Sequence, residues 1–122
     1  MKYNLGINDR AFDAIKEKRK KVELRVTTNE DIFDYNNIKE NDIIFFENSI
    51  GLKIKCIVNK VNWYSTIEEL LSIEGTKYTL SSTDDFNKGV ESIKNISGYS
   101  NGIDKNGIYA IHIEIKESFY EK

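Results

Sequence analysis

Lys18-Arg19-Lys20-Lys21-Val22-Glu23-Leu24-Arg25 marks the point where the periodicity of the chain changes. Upstream, Asn8 is placed to cap a helix from about Asp9 to Lys18, running through Phe12 and Ile15 into the lysine run. Ile7 before the cap and Phe12 in the fourth helical position form a hydrophobic staple. Downstream, Val22, Leu24 and Val26 point one way while Lys21, Glu23 and Arg25 point the other. That alternation predicts a half-buried strand carrying its charges outward. Between Lys16 and Arg25 six basic residues face two acidic ones, a local excess of four on a chain whose net charge is -2. The remainder therefore carries about -6, and a cationic site on an acidic protein suits a small anionic group or a short strand better than a long duplex. A solvated helix end, with cations complementing the C-terminal dipole, explains the same charges equally well.

Working outward, Glu40-Asn41-Asp42 forms a polar turn before Ile43-Ile44-Phe45-Phe46, an apolar run expected as a strand covered on both faces. Asn48-Ser49-Ile50-Gly51 then turns the chain into Leu52, Ile54, Cys56 and Val58 in strict alternation. Val61 and Trp63 follow in the opposite parity, so a bulge or bend is predicted near Asn59-Lys60. Ser65 with Glu68 makes a capping box for a short helix carried by Ile67, Leu70 and Leu71 and ended by Gly75. A third helix, irregular at Gly89, is expected from Thr83 through Phe86, Val90 and Ile93. Tyr109, Ile111, Ile113 and Ile115 close the chain as a strand with its charged face outward. Strands separated by short helices at these spacings indicate a small mixed sheet or barrel with helices at its rim.

The chain of 122 residues is one domain's worth, able to bury roughly two thirds of its unfolded surface, so residues 1–122 are expected to form a single domain. With 39% hydrophobic and 31% charged residues it has the apolar mass to fold and too much charge for a bilayer. No run reaches the length of a membrane span and no signal peptide is evident, so a cytoplasmic protein without a membrane partner is expected. One cysteine and one histidine exclude a disulfide framework and the usual nitrogen and sulfur set of a structural zinc site. No metal and no cofactor are expected.

The charged stretch resembles the signature of the ASCH domain, a PUA-like family with the pattern Gly, any, Lys, any, any, Glu, any, Arg. Lys20, Glu23 and Arg25 match it, with Lys18 at the glycine position. Asn41-Asp42-Ile43-Ile44-Phe45 is similar to the family's Gly-Asp turn and following strand, with Asn replacing Gly; Asn tolerates a left-handed backbone. Val61 to Gly75, the Tyr99 region and Gly107-Ile108-Tyr109-Ala110-Ile111 continue the likeness in order along nearly the whole chain. The resemblance implies an α+β fold, a PUA-like β-pseudobarrel of five to six strands with two or three helices packed at its rim. It also implies binding of RNA or a modified nucleoside or nucleotide in a charged cleft beside the barrel. Some bacterial members are amidohydrolases of N4-acetylcytidine, in which a lysine activates a threonine nucleophile and a glutamate handles protons. Lys20 matches the lysine and Glu74 is a match for the glutamate, while the threonine position holds Glu23, a poor substitute for an alcohol nucleophile. The binding module is therefore the first expectation. A hydrolase using Lys20, Glu23 and Glu74, or a ribonuclease-like activity, is the alternative.

Read as residues alone, Glu23 and Arg25 leave the same face of a strand and Lys20 arrives from the helix-strand junction. Arg25 offers a planar fork, Lys20 a mobile point charge and Glu23 an acceptor for an exocyclic amine. If the three are merely an exposed pair and a bystander, they contribute only about 0.2 to 1 kcal/mol. As a preorganised ligand charge, Arg25 is expected to be removable with the melting temperature nearly unchanged. Trp63, Tyr64 and Tyr99 are candidates for stacking on a base, with Trp63 favoured as core and Tyr64 and Tyr99 as ligand-binding. His112 is expected at the surface and Cys56 as a buried thiol. Ser81-Ser82-Thr83-Asp84-Asp85 is expected as a helix start rather than a catalytic serine.

Overall fold

A computed structural model describes residues 1–120. After a short strand, β1 (Lys2–Gly6), Asn8 caps α1 (Asp9–Lys16), its side-chain oxygen accepting the backbone N–H of Ala11 at 2.8 Å. The helix stops short of Lys18 because that residue adopts a left-handed φ of 63°. Arg19 and Lys20 then turn back their N–H groups onto the Ala14 carbonyl, satisfying the open helix end. β2 (Val22–Arg25) follows, then a 3-10 turn (Tyr35–Asn37), β3 (Ile43–Glu47) and β4 (Leu52–Tyr64). Asn41 takes a φ of 74° in the turn before β3, the conformation for which its side chain suits it. The chain continues through α2 (Ile67–Glu74), α3 (Phe86–Lys94) and α4 (Tyr99–Asn106) to β5 (Ile108–Tyr120).

These elements form an α+β domain around one five-stranded mixed sheet in the order β1-β3-β4-β5-β2. Only β1 and β3 run parallel; the other neighbours are antiparallel. The register between β4 and β5 slips between Val58 and Lys60, where the parity change predicts a bulge. The two edge strands, β1 and β2, are consecutive along the chain and joined through α1, an eight-residue helix about 12 Å long. A flat sheet of five strands would hold its edges roughly 19 Å apart. The sheet therefore curls, and its edges approach: Nη2 of Arg25 on β2 donates to the carbonyl of Gly6 on β1 at 2.7 Å.

The sheet is not closed into the expected barrel. Among the described residues no backbone ladder joins β1 to β2, because the gap is bridged by a side chain. Two cores result. Inside the curl, α1 and the 3-10 turn pack Phe12, Ile15 and Tyr35 against Ile44, Phe46, Ile54, Val58 and Ile111. Outside it, Ile67, Leu70, Leu80, Ile93 and Ile103 from the α2 to α4 segment cover Val22, Leu24, Val26 and Ala110. Each fully buried isoleucine or leucine contributes about 1.5 to 3 kcal/mol relative to exposure.

Among the described residues there are four α-helices rather than two or three. The fourth contains Gly102 and several weak helix formers, and tertiary packing holds it: a Cβ at Gly102 would come within 2.8 Å of the Thr27 carbonyl and a Val26 methyl. The second and third helices are capped by Thr66 and Asp85, one and two residues beyond Ser65 and Thr83. No helix among the described residues is long and apolar enough to cross a membrane.

Candidate functional site

The curl covers one face of β2 and the α2 to α4 segment covers the other. In the antiparallel register Val22 and Leu24 stand opposite His112 and Ala110, while Glu23 and Arg25 stand opposite Ile111 and Tyr109. Glu23 and Arg25 therefore point inside the curl. The expectation of an outward charged face is corrected: Glu23 is only 6% exposed, as is Lys20 at the entry to the strand. Burying these charges is tolerable only because they are paired.

The pairing is specific. Oε2 of Glu23 accepts from Nε of Arg25 at 2.8 Å, and Oε1 lies 3.4 Å from Nζ of Lys20. The Lys20 ammonium also donates to the carbonyls of Val22 at 2.8 Å and Thr79 at 2.6 Å. Three acceptors for three ammonium hydrogens leave none unmatched and tie the segment after α2 to β2. Burial lowers the Lys20 pKa, with Glu23 acting in the opposite sense. For Glu23, burial works to raise the pKa, but Arg25 and Lys20 outweigh it and hold the carboxyl below its ordinary range. Arg25 is half-buried, and although burial works to lower its pKa, Glu23 and the neighbouring tyrosines raise it, so it stays charged.

A cavity of about 300 Å³ opens against this triad, at the seam between β1 and β2. Lys20, Glu23 and Arg25 line one side of it together with Tyr99 at the start of α4. Tyr99 is half-buried, and burial first of all pushes its phenol up to about 12. Arg10 of α1, Ser81 and Ser82 line the cavity as well, Arg10 donating from Nε to Ser81 Oγ at 3.3 Å. Three cationic side chains thus face one carboxylate around a hollow large enough for a small planar ligand. Arg10, Ser81 and Ser82 escape the sequence reading because Arg10 belongs to a regular helical pattern and the serines look like a helix start. Only folding brings them together.

Two of the expected site residues lie elsewhere. Glu74 and Tyr64 do not line the cleft; Oε2 of Glu74 accepts from the Tyr64 hydroxyl at 2.6 Å and from Nδ2 of Asn62 at 2.9 Å. His112 joins them, its Nε2 2.8 Å from Oε1 of Glu74, a close contact not aligned as a hydrogen bond. The expectation that His112 is a surface residue gives way to a place in this cluster. Burial tends to raise the Glu74 pKa, but the Asn62, Tyr64 and His112 contacts hold it low, while burial and Glu74 push Tyr64 up to about 12. Trp63, expected in the core, is 54% exposed. Cys56 is a buried thiol as expected, pushed up to about 12 by burial and then by Glu23. Among the described residues no cluster of His, Cys, Asp and Glu is arranged to hold a metal ion.

Fold and cleft together define a small α+β domain with an ion-paired hollow at the seam of a curled sheet. Solved structures share that fold. The crystal structure of the hypothetical protein PH0355 is similar with a TM-score of 0.80 and 29% identity, over 95% of this chain and 100% of that one. The solution NMR structure of protein PF0455 from Pyrococcus furiosus is similar with a TM-score of 0.73 and 26% identity, over 96% of this chain and 99% of that one. No family model and no curated protein matches the chain. Neither structural relative's name carries an activity.

Proposed function

We propose that the protein is a PUA-like domain of the ASCH type that holds a modified nucleoside, a nucleotide or a short single-stranded RNA in the cleft at the β1–β2 seam. The observation that supports this most is the convergence of Lys20, Glu23, Arg25 and Tyr99 on one cavity. Glu23 retains lone pairs for an exocyclic amine, and Arg25, fixed by Glu23 and Gly6, presents a preorganised cation to a phosphate or a base edge. Arg10 and the two serine hydroxyls supply further donors for an anion. Tyr99 supplies an aromatic wall. Because both partners of each internal bond are already in place, little ordering entropy is lost on binding.

Titration of cytidine, N4-acetylcytidine, cytidine monophosphate and short single-stranded RNAs tests the reading. A salt-sensitive affinity that falls at least tenfold in Arg25→Lys, which keeps the charge and loses the fork, is expected; no binding by any of these at low salt rejects it.

A hydrolase of N4-acetylcytidine-like nucleosides is the second reading, favoured by one observation, the buried amine of Lys20 with its lowered pKa. Against it stand the full hydrogen bonding of that amine and the absence of Glu74 from the cleft lining. Turnover of N4-acetylcytidine that disappears in Lys20→Met would install it.

A further inference from the structure

Trp63 is the one tryptophan of the chain, and its surroundings are built rather than accidental. Its indole N–H donates to the Asn106 carbonyl at 2.9 Å. One side of the ring lies so close to Gly107 that any Cβ there would overlap it, and Gly107 itself holds a φ of 78°. The ring is therefore anchored and backed, while 54% of the residue stays exposed. An exposed tryptophan gains nothing for the core by being fixed in this way; a fixed aromatic face is what a stacking ligand needs.

The register places this ring in line with the cleft. Tyr109 on β5 pairs with Arg25 on one side and Trp63 on the other, so the three share one face of the sheet. Two strand spacings put the Trp63 backbone roughly 10 Å from that of Arg25. Beside Trp63 and Tyr109 a second cavity of about 280 Å³ is walled by Asn36, Ile38, Lys39, Glu40, Lys60 and Val61. It combines an aromatic floor, an apolar side and two amines against one carboxylate, with the Lys39 amine donating to the Asn36 carbonyl at 2.7 Å.

We propose that this cavity is a second nucleotide subsite, in which Trp63 stacks on the base next to the one held in the cleft and Lys39 and Lys60 meet the linking phosphate. The inference rests on the nucleotide-binding reading of the cleft and names a second contact that a single strand makes and a lone nucleoside does not. Stacking on aromatic residues is tolerant of sequence, so this subsite adds affinity without reading the base.

The intrinsic fluorescence of Trp63 is the direct probe. Cytidine monophosphate and a single-stranded cytidine trinucleotide are titrated into the wild type, Trp63→Ala and Arg25→Lys. The trinucleotide is expected to quench the fluorescence saturably and to bind more tightly than the monophosphate. Trp63→Ala, followed by calorimetry, weakens the trinucleotide roughly tenfold and leaves the monophosphate unchanged. Trinucleotide binding that leaves the fluorescence constant and ignores Trp63→Ala, yet weakens in Arg25→Lys, overturns the subsite and leaves the cleft standing. Quenching that is undiminished in Arg25→Lys retains the aromatic platform and removes the cleft reading; no binding of either probe removes both.

Discussion

Glu23 and Glu74 are both buried carboxylates held below their ordinary pKa, and they differ in what surrounds them. Glu74 accepts from a neutral amide and a neutral phenol and touches His112, tying the end of α2 to β4 and β5. It is not among the residues lining the cleft at the β1–β2 seam. Glu23 is clasped by two cations and lies against an open hollow. Neutral hydrogen bonds are a sufficient means of fixing a helix end. A buried ion triad is not, because apolar residues of similar volume hold a strand as well or better. The closed cluster is accounted for by the fold it supports, whereas the open one has charge left to offer a ligand.

Substitutions can break this contrast. The largest effect is expected for Glu23→Gln, which leaves Lys20 and Arg25 buried without a counter-charge and costs about 3 to 5 kcal/mol in urea unfolding. A loss below about 1 kcal/mol would mean that the triad behaves as a solvated surface group. Arg25→Ala comes next. The expectation of an unchanged melting temperature does not suit a side chain that joins Glu23 to the Gly6 carbonyl. With Lys20 still compensating Glu23, a loss of about 1 to 3 kcal/mol is expected, several degrees in a thermal melt, together with lost ligand affinity. Glu74→Gln, which keeps an acceptor for Tyr64, is expected to cost about 1 to 2 kcal/mol and to leave ligand affinity untouched. A change in affinity there would erase the distinction between the two clusters.

Acid provides the gentlest probe. The ordinary value for both glutamates is 4.5 and both folded values lie below it. Their stabilisation is thus complete above pH 4.5 and is lost as pH falls through the lower folded values. Unfolding curves collected downward from neutral pH should show that loss, and Glu23→Gln should flatten it more than Glu74→Gln, since its carboxylate is the one set between two cations.

Much of this was legible in the sequence, and the physical reason is locality. The Asn8 cap, the Asn41 turn, the alternation of β4 and its slip near Lys60 are each set by neighbours a few residues apart. The convergence of Lys20, Glu23 and Arg25 follows from strand parity and the preceding helix end. Parity, however, cannot tell which face of a strand is covered. Glu23 is read as facing water because the curl that buries it depends on α1 drawing β1 toward β2, and His112 because the α2 residue that meets it, Glu74, lies far off in the sequence. Trp63 was expected in the core because its exposure is decided by Gly107 and Asn106, more than forty residues away. Tyr64 and Glu74 were assigned to the site for want of the third dimension that joins them to Asn62 and His112. α4 was missed because Tyr99-Ser100-Asn101-Gly102 has little helical propensity of its own and is held by Val26 and Thr27.

The central claim, that the open triad and not the closed cluster meets a ligand, is tested most directly by following backbone amide resonances while a short single-stranded RNA is added at low salt. The account predicts concentration-dependent shifts at Gly6, Arg25, Ser81, Ser82 and Tyr99, with Glu74 and its neighbours in α2 unmoved. Shifts centred on Tyr64 and Glu74, or none at the β1–β2 seam, would contradict it.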